Sequence, residues 1–198
     1  MKCNLSAVIL AGGESRRIGG KPKTELIVAG EKIISRMLGV IREIFDEIII
    51  VTNSPGRFSK ITDCLIIRDI YAGSGPLGGI HAAIKSSGNE ALFIFAGDMP
   101  FLDKNLINRQ IEFFAHTDFQ ALVPVVNGMT EPLHAIYCKS IIDEAEILLE
   151  QKENPSVRDL LEKIRTGYMH LEHSAEVNRS FTNINTLADL RQAENFYL

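Results

Sequence analysis

Cysteine is scarce in this chain and nothing organises the little there is. Cys3, Cys64 and Cys138 lie far apart, form no CxxC pair and leave one thiol over in any disulfide scheme. A disulfide scaffold is therefore excluded, and reduced thiols in a cytosol are expected. Long apolar runs are missing too, since none approaches the roughly 20 residues that a bilayer span needs. The opening segment MKCNLSAVIL runs straight into a glycine turn with no small-residue cleavage site, which reads as a strand and not as a signal peptide. A cytoplasmic protein with no membrane partner is the expectation. Positive charge is not in excess: 21 Lys and Arg stand against 25 Asp and Glu, a net charge of −4. A general nucleic-acid binder would show a basic surplus that neutralises backbone phosphates, so no nucleic-acid partner is expected and any bound anion must be held by local cations.

Several catalytic signatures are absent as well. The five histidines, His81, His116, His134, His170 and His173, show no HExxH spacing, and the pair in HLEH would face opposite sides of a strand. There is no GxSxG elbow, no GxGxxG fingerprint and no GxxxxGK[ST] loop, which counts against a serine hydrolase, a dehydrogenase and a P-loop kinase. Internal repeats, low-complexity tracts and linkers are lacking. The 198 residues, 45% hydrophobic and 23% charged, with a mean hydropathy of +0.06, fit one compact domain spanning 1–198.

What is present is an alternation of two periodicities. Apolar bursts at Leu5–Leu10, Glu47–Thr52, Cys64–Ile67 and Ala91–Ala96 read as strands buried on both faces. Between them, 31–45 carries Ile33, Ile34, Met37, Leu38, Ile41 and Ile44 along one stripe, 77–85 carries Ile80 and Ile84, and Asp103 caps a further helix. Strands alternating with helices predict βαβ units, hence a doubly wound α/β domain with a mainly parallel, Rossmann-like sheet. After Phe119, 121–126 and 132–137 read as strands around a turn at 127–130, an antiparallel insertion. Helices at 140–151 and 156–164, a strand at 168–172 and a helix at 186–195 capped by Thr186 or Asn185 complete the chain.

In such sheets ligands bind outside the carboxyl ends of the strands, where the chemistry-bearing residues of this sequence fall. LAGGESRRIGGKPK, from Leu10 to Lys23, directly follows the first strand. Gly12 and Gly13 allow the backbone to turn sharply and offer N–H groups to phosphate oxygens, while Arg17 and Lys23 add full positive charge. Asp98 ends the fourth strand in AGDMP and suits Mg²⁺, a hard cation that prefers oxygen ligands and bridges to phosphates; the alternative role, capping the next helix, is better filled by Asp103. Asp69 ends CLIIRD and can accept two hydrogen bonds at once, as guanine offers through N1–H and its 2-amino group, or can pair locally with Arg68 or a loop amide. Gly73, Gly75, Gly78 and Gly79 around Pro76 predict a loop that approaches something closely, leading into a helix N-terminus that favours anions.

With LAGG, Arg17, Gly19 and Lys23 in that register and GDMP later, the chain resembles the GT-A-like nucleotidyltransferases, and more narrowly the molybdenum cofactor guanylyltransferase family. That family's pattern LAGGxxxRMGGxDK is met by LAGGESRRIGGKPK, followed in order by PLGGI, GDMPFL, EPLHAIY and NINTLADL. The likeness spans nearly the whole chain, and the ordered set is far more specific than any one element. Ile18 stands for the usual Met, Pro22 for the common Asp before the lysine and Leu187 for the Pro after NxNT; none of these removes a charge needed for phosphate.

The resemblance implies GTP and Mo-molybdopterin as substrates, Mg²⁺ as cofactor, and transfer of GMP with release of pyrophosphate. It implies that Leu10, Ala11, Gly12 and Gly13 contact GTP, that Lys23 binds its phosphates, that Asp69 helps to hold the nucleotide, and that Asp98 binds both GTP and the metal. Arg17, Lys23 and Asp98 would then be the catalytic set. Asn53, or Val51 in its place, would match a family asparagine; Asn183 and Asn185 would lie near the metal, and EPLHAIY with His134 on the molybdopterin side. Transient contact with molybdoenzyme apoproteins or cofactor-biosynthesis proteins would follow from the same likeness. Two rivals stay open: a cytidylyltransferase or sugar-phosphate nucleotidyltransferase of the same fold, and a GTP-binding adaptor that delivers cofactor without catalysis.

Overall fold

The computed structural model of the chain describes residues 5–12, 23–71, 73–194 and 196. Its strands are β1 (Leu5–Leu10), β2 (Ile27–Val28), β3 (Glu31–Lys32), β4 (Glu47–Val51), β5 (Leu65–Ile67), β6 (Ala91–Ala96), β7 (Ala121–Val126), β8 (Met129–Thr130), β9 (His134–Cys138) and β10 (Thr166–His170). The helices are α1 (Ile33–Ile41), α2 (Gly75–Ser86), α3 (Lys104–Ala115), α4 (Ile142–Gln151), α5 (Val157–Leu161), α6 (Ala175–Ser180) and α7 (Leu187–Glu194). The main sheet runs β10-β7-β9-β6-β1-β4-β5, with β8 added to β7. β1 lies between β4 and β6 and is parallel to both, which is why LSAVIL is apolar on both faces.

The expected antiparallel segment is present and belongs to the same sheet. β9 runs antiparallel to β6 on one side and to β7 on the other. The turn between β7 and β8 is made by Asn127 and Gly128, both at positive φ (51° and 78°), where Asn and Gly are tolerated. Alternation along the strands then divides the core. Ala7, Ile9, Ile50, Phe93 and Phe95 face one layer with the buried stripe of α1, and Val8, Ile49, Leu92 and Ile94 face the other with α2, α4 and α5. Among the described residues no helix is long and apolar enough to cross a membrane.

Some element ends differ from the sequence reading, each for a local reason. α1 begins at Ile33 because Glu31 and Lys32 pair with Ile27 and Val28 across Ala29 and Gly30, which stand at φ 46° and 81°, and the Ile33 N–H donates to Leu26 O at 2.9 Å. α2 starts at Gly75 with Pro76 in its first turn, where the missing N–H of proline costs nothing. β10 starts at Thr166. Gly167 is required there, because a Cβ would lie 2.1 Å from the Phe119 ring. α6, capped by Ser174 through the Val177 N–H, follows a stretch with no apolar stripe and is an addition to the elements expected.

Candidate active site

Register in the parallel strands decides which side chains meet. Leu10 is level with Val51 of β4 and Ala96 of β6, and Val51 is level with Ile67 of β5. The residues just past these points, Ala11 and Gly12, Thr52 and Asn53, Asp69, and Gly97 and Asp98, therefore come to one edge. After β5 the chain returns through α2 to β6 on the far side of β1, so a change of direction in strand order falls between β1 and β6, where such sheets open a ligand crevice.

That crevice is a cavity of about 440 Å³. Leu10, Ala11, Gly12, Lys23, Asp69 and Asp98 all line it, as do Val51 and Asn53. Gly13 and Arg17, the other residues assigned to nucleotide and to catalysis from the sequence, lie outside the described residues. Two glycines set the shape. A Cβ at Gly97 would stand 2.7 Å from the Leu10 carbonyl oxygen and 2.8 Å from Thr24 Cγ2, and the Gly97 N–H donates to that same carbonyl at 3.1 Å. Only glycine lets the turn carrying Asp98 sit directly on the loop that follows β1. At Gly79 a Cβ would meet Leu10 Cδ2 at 2.9 Å and would stand 3.5 Å from Asp69 Oδ1, so the opening turns of α2 pack down on the strand ends, with Gly75 and Pro76 on the cavity wall.

The charges are paired across the cavity wall. Lys23 Nζ lies 2.6 Å from Asp98 Oδ2 and also donates to the side-chain oxygen of Asn185. Asp98 is 9% exposed, and a charge that deep needs a partner of this kind. Its backbone carbonyl accepts the Ile184 N–H at 2.9 Å, which ties the NINT segment to the GDMP turn. Asp69 is half-buried; burial pushes its carboxyl above the usual range, opposed by a hydrogen bond from Asn53, whose amide donates to Oδ2 at 3.3 Å. Among the described residues the Asp69 carboxylate takes its side-chain hydrogen bond from Asn53, the strand-end residue beside it, and not from Arg68 or a loop amide.

Two residues that sequence reasoning passed over stand behind these. Asp189 Oδ2 accepts the N–H groups of Asn185 and Thr186, both at 2.8 Å, and the Asp189 N–H donates to Thr186 Oγ1 at 3.1 Å; the TLAD spacing at 186–189 is a capping-box signal that would have found it. Glu131 is half-buried, and burial, with a smaller push from Asp98, raises its carboxyl against the pull of Arg158.

His134 is a correction. It is fully buried, its ring set against Phe93, Phe95 and Phe181 at centroid distances of 5.3, 5.4 and 4.7 Å, and burial lowers its pKa to about 3. A side chain so placed belongs to the core, and the EPLHAIY segment presents Leu133 to the cavity instead. The side-chain oxygen of Asn183 is buried and has no hydrogen-bond partner among the described residues. No group of three or more His, Cys, Asp and Glu side chains gathers among the described residues.

The profile of the MobA-like NTP transferase domain matches residues 7–169, which takes in the strand ends, the cavity and both acidic residues. The chain belongs to this family. It is 36% identical over 205 residues to a probable molybdenum cofactor guanylyltransferase of Natranaerobius thermophilus, covering 99% of this chain and 98% of the relative. Among solved structures it is similar to molybdopterin-guanine dinucleotide biosynthesis protein A from Archaeoglobus fulgidus, with a TM-score of 0.84, 29% identity and 98% of each chain covered. The 2-C-methyl-D-erythritol 4-phosphate cytidylyltransferase of Thermus thermophilus superposes with a TM-score of 0.73 at 18% identity, covering 98% of each chain, and shows that the fold is shared with enzymes of another base. Family membership makes the chain a nucleotidyltransferase and fits the mixed, mainly parallel sheet seen here.

Proposed function

We propose that this nucleotidyltransferase moves GMP from GTP to the phosphate of Mo-molybdopterin. A phosphate oxygen of the acceptor forms a bond to the α-phosphorus of GTP, the bond from that phosphorus to the β-bridging oxygen breaks, and pyrophosphate leaves with the electron pair. The convergence of Lys23, Asp98 and Asp69 in one cavity carries the reading. No protein nucleophile is needed, because position and charge neutralisation supply most of the catalysis in transfers of this type. Lys23 holds negative charge that grows on the departing pyrophosphate, and the α2 N-terminus, with Gly75 and Pro76 on the wall, favours the same anion.

Base choice falls to Asp69. An ionised carboxylate only accepts hydrogen bonds, and guanine presents two adjacent donors, whereas the matching edge of cytosine places an acceptor beside its amino group. Asn53, 3.3 Å from Asp69 Oδ2, keeps that carboxylate turned along the strand ends.

The donor set suits Mg²⁺. Asp98 is a hard oxygen ligand on the cavity wall, and no cluster of three or more potential ligands surrounds it among the described residues. Such a site fits an ion that keeps several waters and takes its other ligands from phosphates. Asp98 would hold the ion, which when bound neutralises phosphate charge. The free thiols Cys64 and Cys138 accord with a reducing cytoplasm.

Competition binding tests the base assignment: GTP should displace a fluorescent guanine nucleotide at far lower concentration than CTP. Preference for CTP would move the chain to the cytidylyl branch. Nucleotide binding without any turnover on Mo-molybdopterin would make it an adaptor.

A further inference from the structure

The carboxylate of Asp189 makes one bond more than a helix cap requires. In a capping box the residue at the third helical position bonds back to the N-cap N–H while the N-cap hydroxyl takes its own N–H; Thr186 and Asp189 do both. The additional bond, from the Asn185 N–H at 2.8 Å, lies before the helix and contributes nothing to its first turn. It fixes the backbone of the residue whose side-chain oxygen holds the Lys23 ammonium. On the other side of Asn185, the Ile184 N–H is tied to the Asp98 carbonyl at 2.9 Å. Asn185 is therefore clamped between Asp98 and Asp189, and Lys23 is clamped in turn between Asn185 and the Asp98 carboxylate.

We infer that Asp189 is a positioning residue, whose carboxylate fixes Asn185 so that the Lys23 ammonium is held at the cavity wall beside Asp98. A lysine stem has four rotatable carbons and its head is a strongly hydrated point charge, so a single ion pair leaves it much freedom. A second, immobile acceptor removes that freedom before substrate arrives, which lowers the ordering cost at the moment of reaction. The inference rests on the assignment of Lys23 to the triphosphate.

Three substitutions separate positioning from capping. Asp189→Ala removes both bonds that the Asp189 carboxylate accepts, Asp189→Asn keeps a carbonyl oxygen able to accept both N–H groups, and Thr186→Ala breaks only the hydroxyl half of the cap. Steady-state kinetics with GTP and Mo-molybdopterin should show kcat falling about 10- to 100-fold in Asp189→Ala, since a misplacement of about 1 Å costs up to about 100-fold. KM for GTP should change less. Asp189→Asn should recover most of kcat, and Thr186→Ala should lower the melting temperature with kcat close to the parent's. Equal losses of kcat in Asp189→Ala and Thr186→Ala, or no recovery in Asp189→Asn, would overturn the inference. If the parent protein releases no pyrophosphate, the proposed reaction fails and the clamp is read separately by calorimetry with tripolyphosphate. Affinity weakened in Asp189→Ala and preserved in Thr186→Ala upholds it, and equal affinities overturn it.

Discussion

Lys23 and Asp98 neutralise each other at 2.6 Å, yet the two are not symmetric in what their loss would do. Lys23 is the more exposed of the pair; Lys23→Ala strands the buried Asp98 carboxylate and should cost stability, but it should lower kcat proportionally far more, by about 100- to 1,000-fold, the usual cost of deleting one donor to developing negative charge. Parallel thermal melts and pyrophosphate-release rates check this, and equal proportional losses in both would contradict it. Asp69 sets a pH dependence of nucleotide binding. Its carboxyl lies above the usual range because of burial, and only the ionised form accepts from both guanine donors. GTP affinity should therefore be full on the alkaline side of this raised pKa and fall as pH drops through it, earlier than for an ordinary carboxylate. Asp69→Asn should bind GTP about 10- to 100-fold more weakly, in line with the worth of hydrogen bonds to a charged group, and should abolish that pH dependence in a titration by calorimetry. His134 shows why residue type alone misleads. Leu133, in the turn before β9, reaches the cavity, and His134, the first residue of that strand, enters the core.

At the scale of elements, the strand-to-turn junctions carry the site and two glycines report on them. Gly97→Ala would press a methyl group on the Leu10 carbonyl and Thr24, whereas at Gly79 the first obstacle is the end of the flexible Leu10 side chain. Overpacking against backbone costs about 1–3 kcal/mol, so Gly97→Ala should destabilise clearly more than Gly79→Ala in chemical denaturation. The opposite end of the sheet holds a carboxylate of a different kind. Burial alone would raise the Glu47 pKa, but the Ser6 hydroxyl, the Gly88 N–H, the Ser87 hydroxyl and the charge of Lys139 together hold it below its ordinary value. A carboxyl lowered in the fold contributes stability that is present above its unfolded pKa and is lost as pH falls through the folded one. Between pH 5 and pH 3, roughly the carboxylate range, the parent should lose stability more steeply than Glu47→Gln; equal slopes would contradict the assignment. The long buried strands were legible because runs such as LSAVIL and ALFIFA have a single physical reading. β2, β3 and α6 were not: two-residue strands have no period to detect, and α6 rests on its Ser174 cap and on tertiary contacts.

For the molecule as a whole, topology is what turns scattered residues into one site. Parallel register brings the ends of β1, β4, β5 and β6 level, and strand order places the opening between β1 and β6. That ligands bind at the carboxyl ends of these strands could be read from alternating periodicities, and Lys23, Asp69 and Asp98 from their places in the chain, but the place of the opening between β1 and β6 could not. The clamp through Asp189 could not be read so directly, since it joins residues more than 160 positions from Lys23 in the chain and shows in the sequence only as a helix cap. The antiparallel course of β9 between β6 and β7 was likewise visible as a change of pattern at 121–137 but not as a place in the sheet, because chain order does not fix strand order. The fold itself is shared with a cytidylyltransferase, so function rests on the site and not on the architecture. The most direct test follows the phosphorus atoms. With Mo-molybdopterin and GTP labelled at the α-phosphate, the label should appear in a dinucleotide, while label at the γ-phosphate should leave as pyrophosphate; release of γ-label as inorganic phosphate, or α-label that never joins the acceptor, would contradict guanylyl transfer.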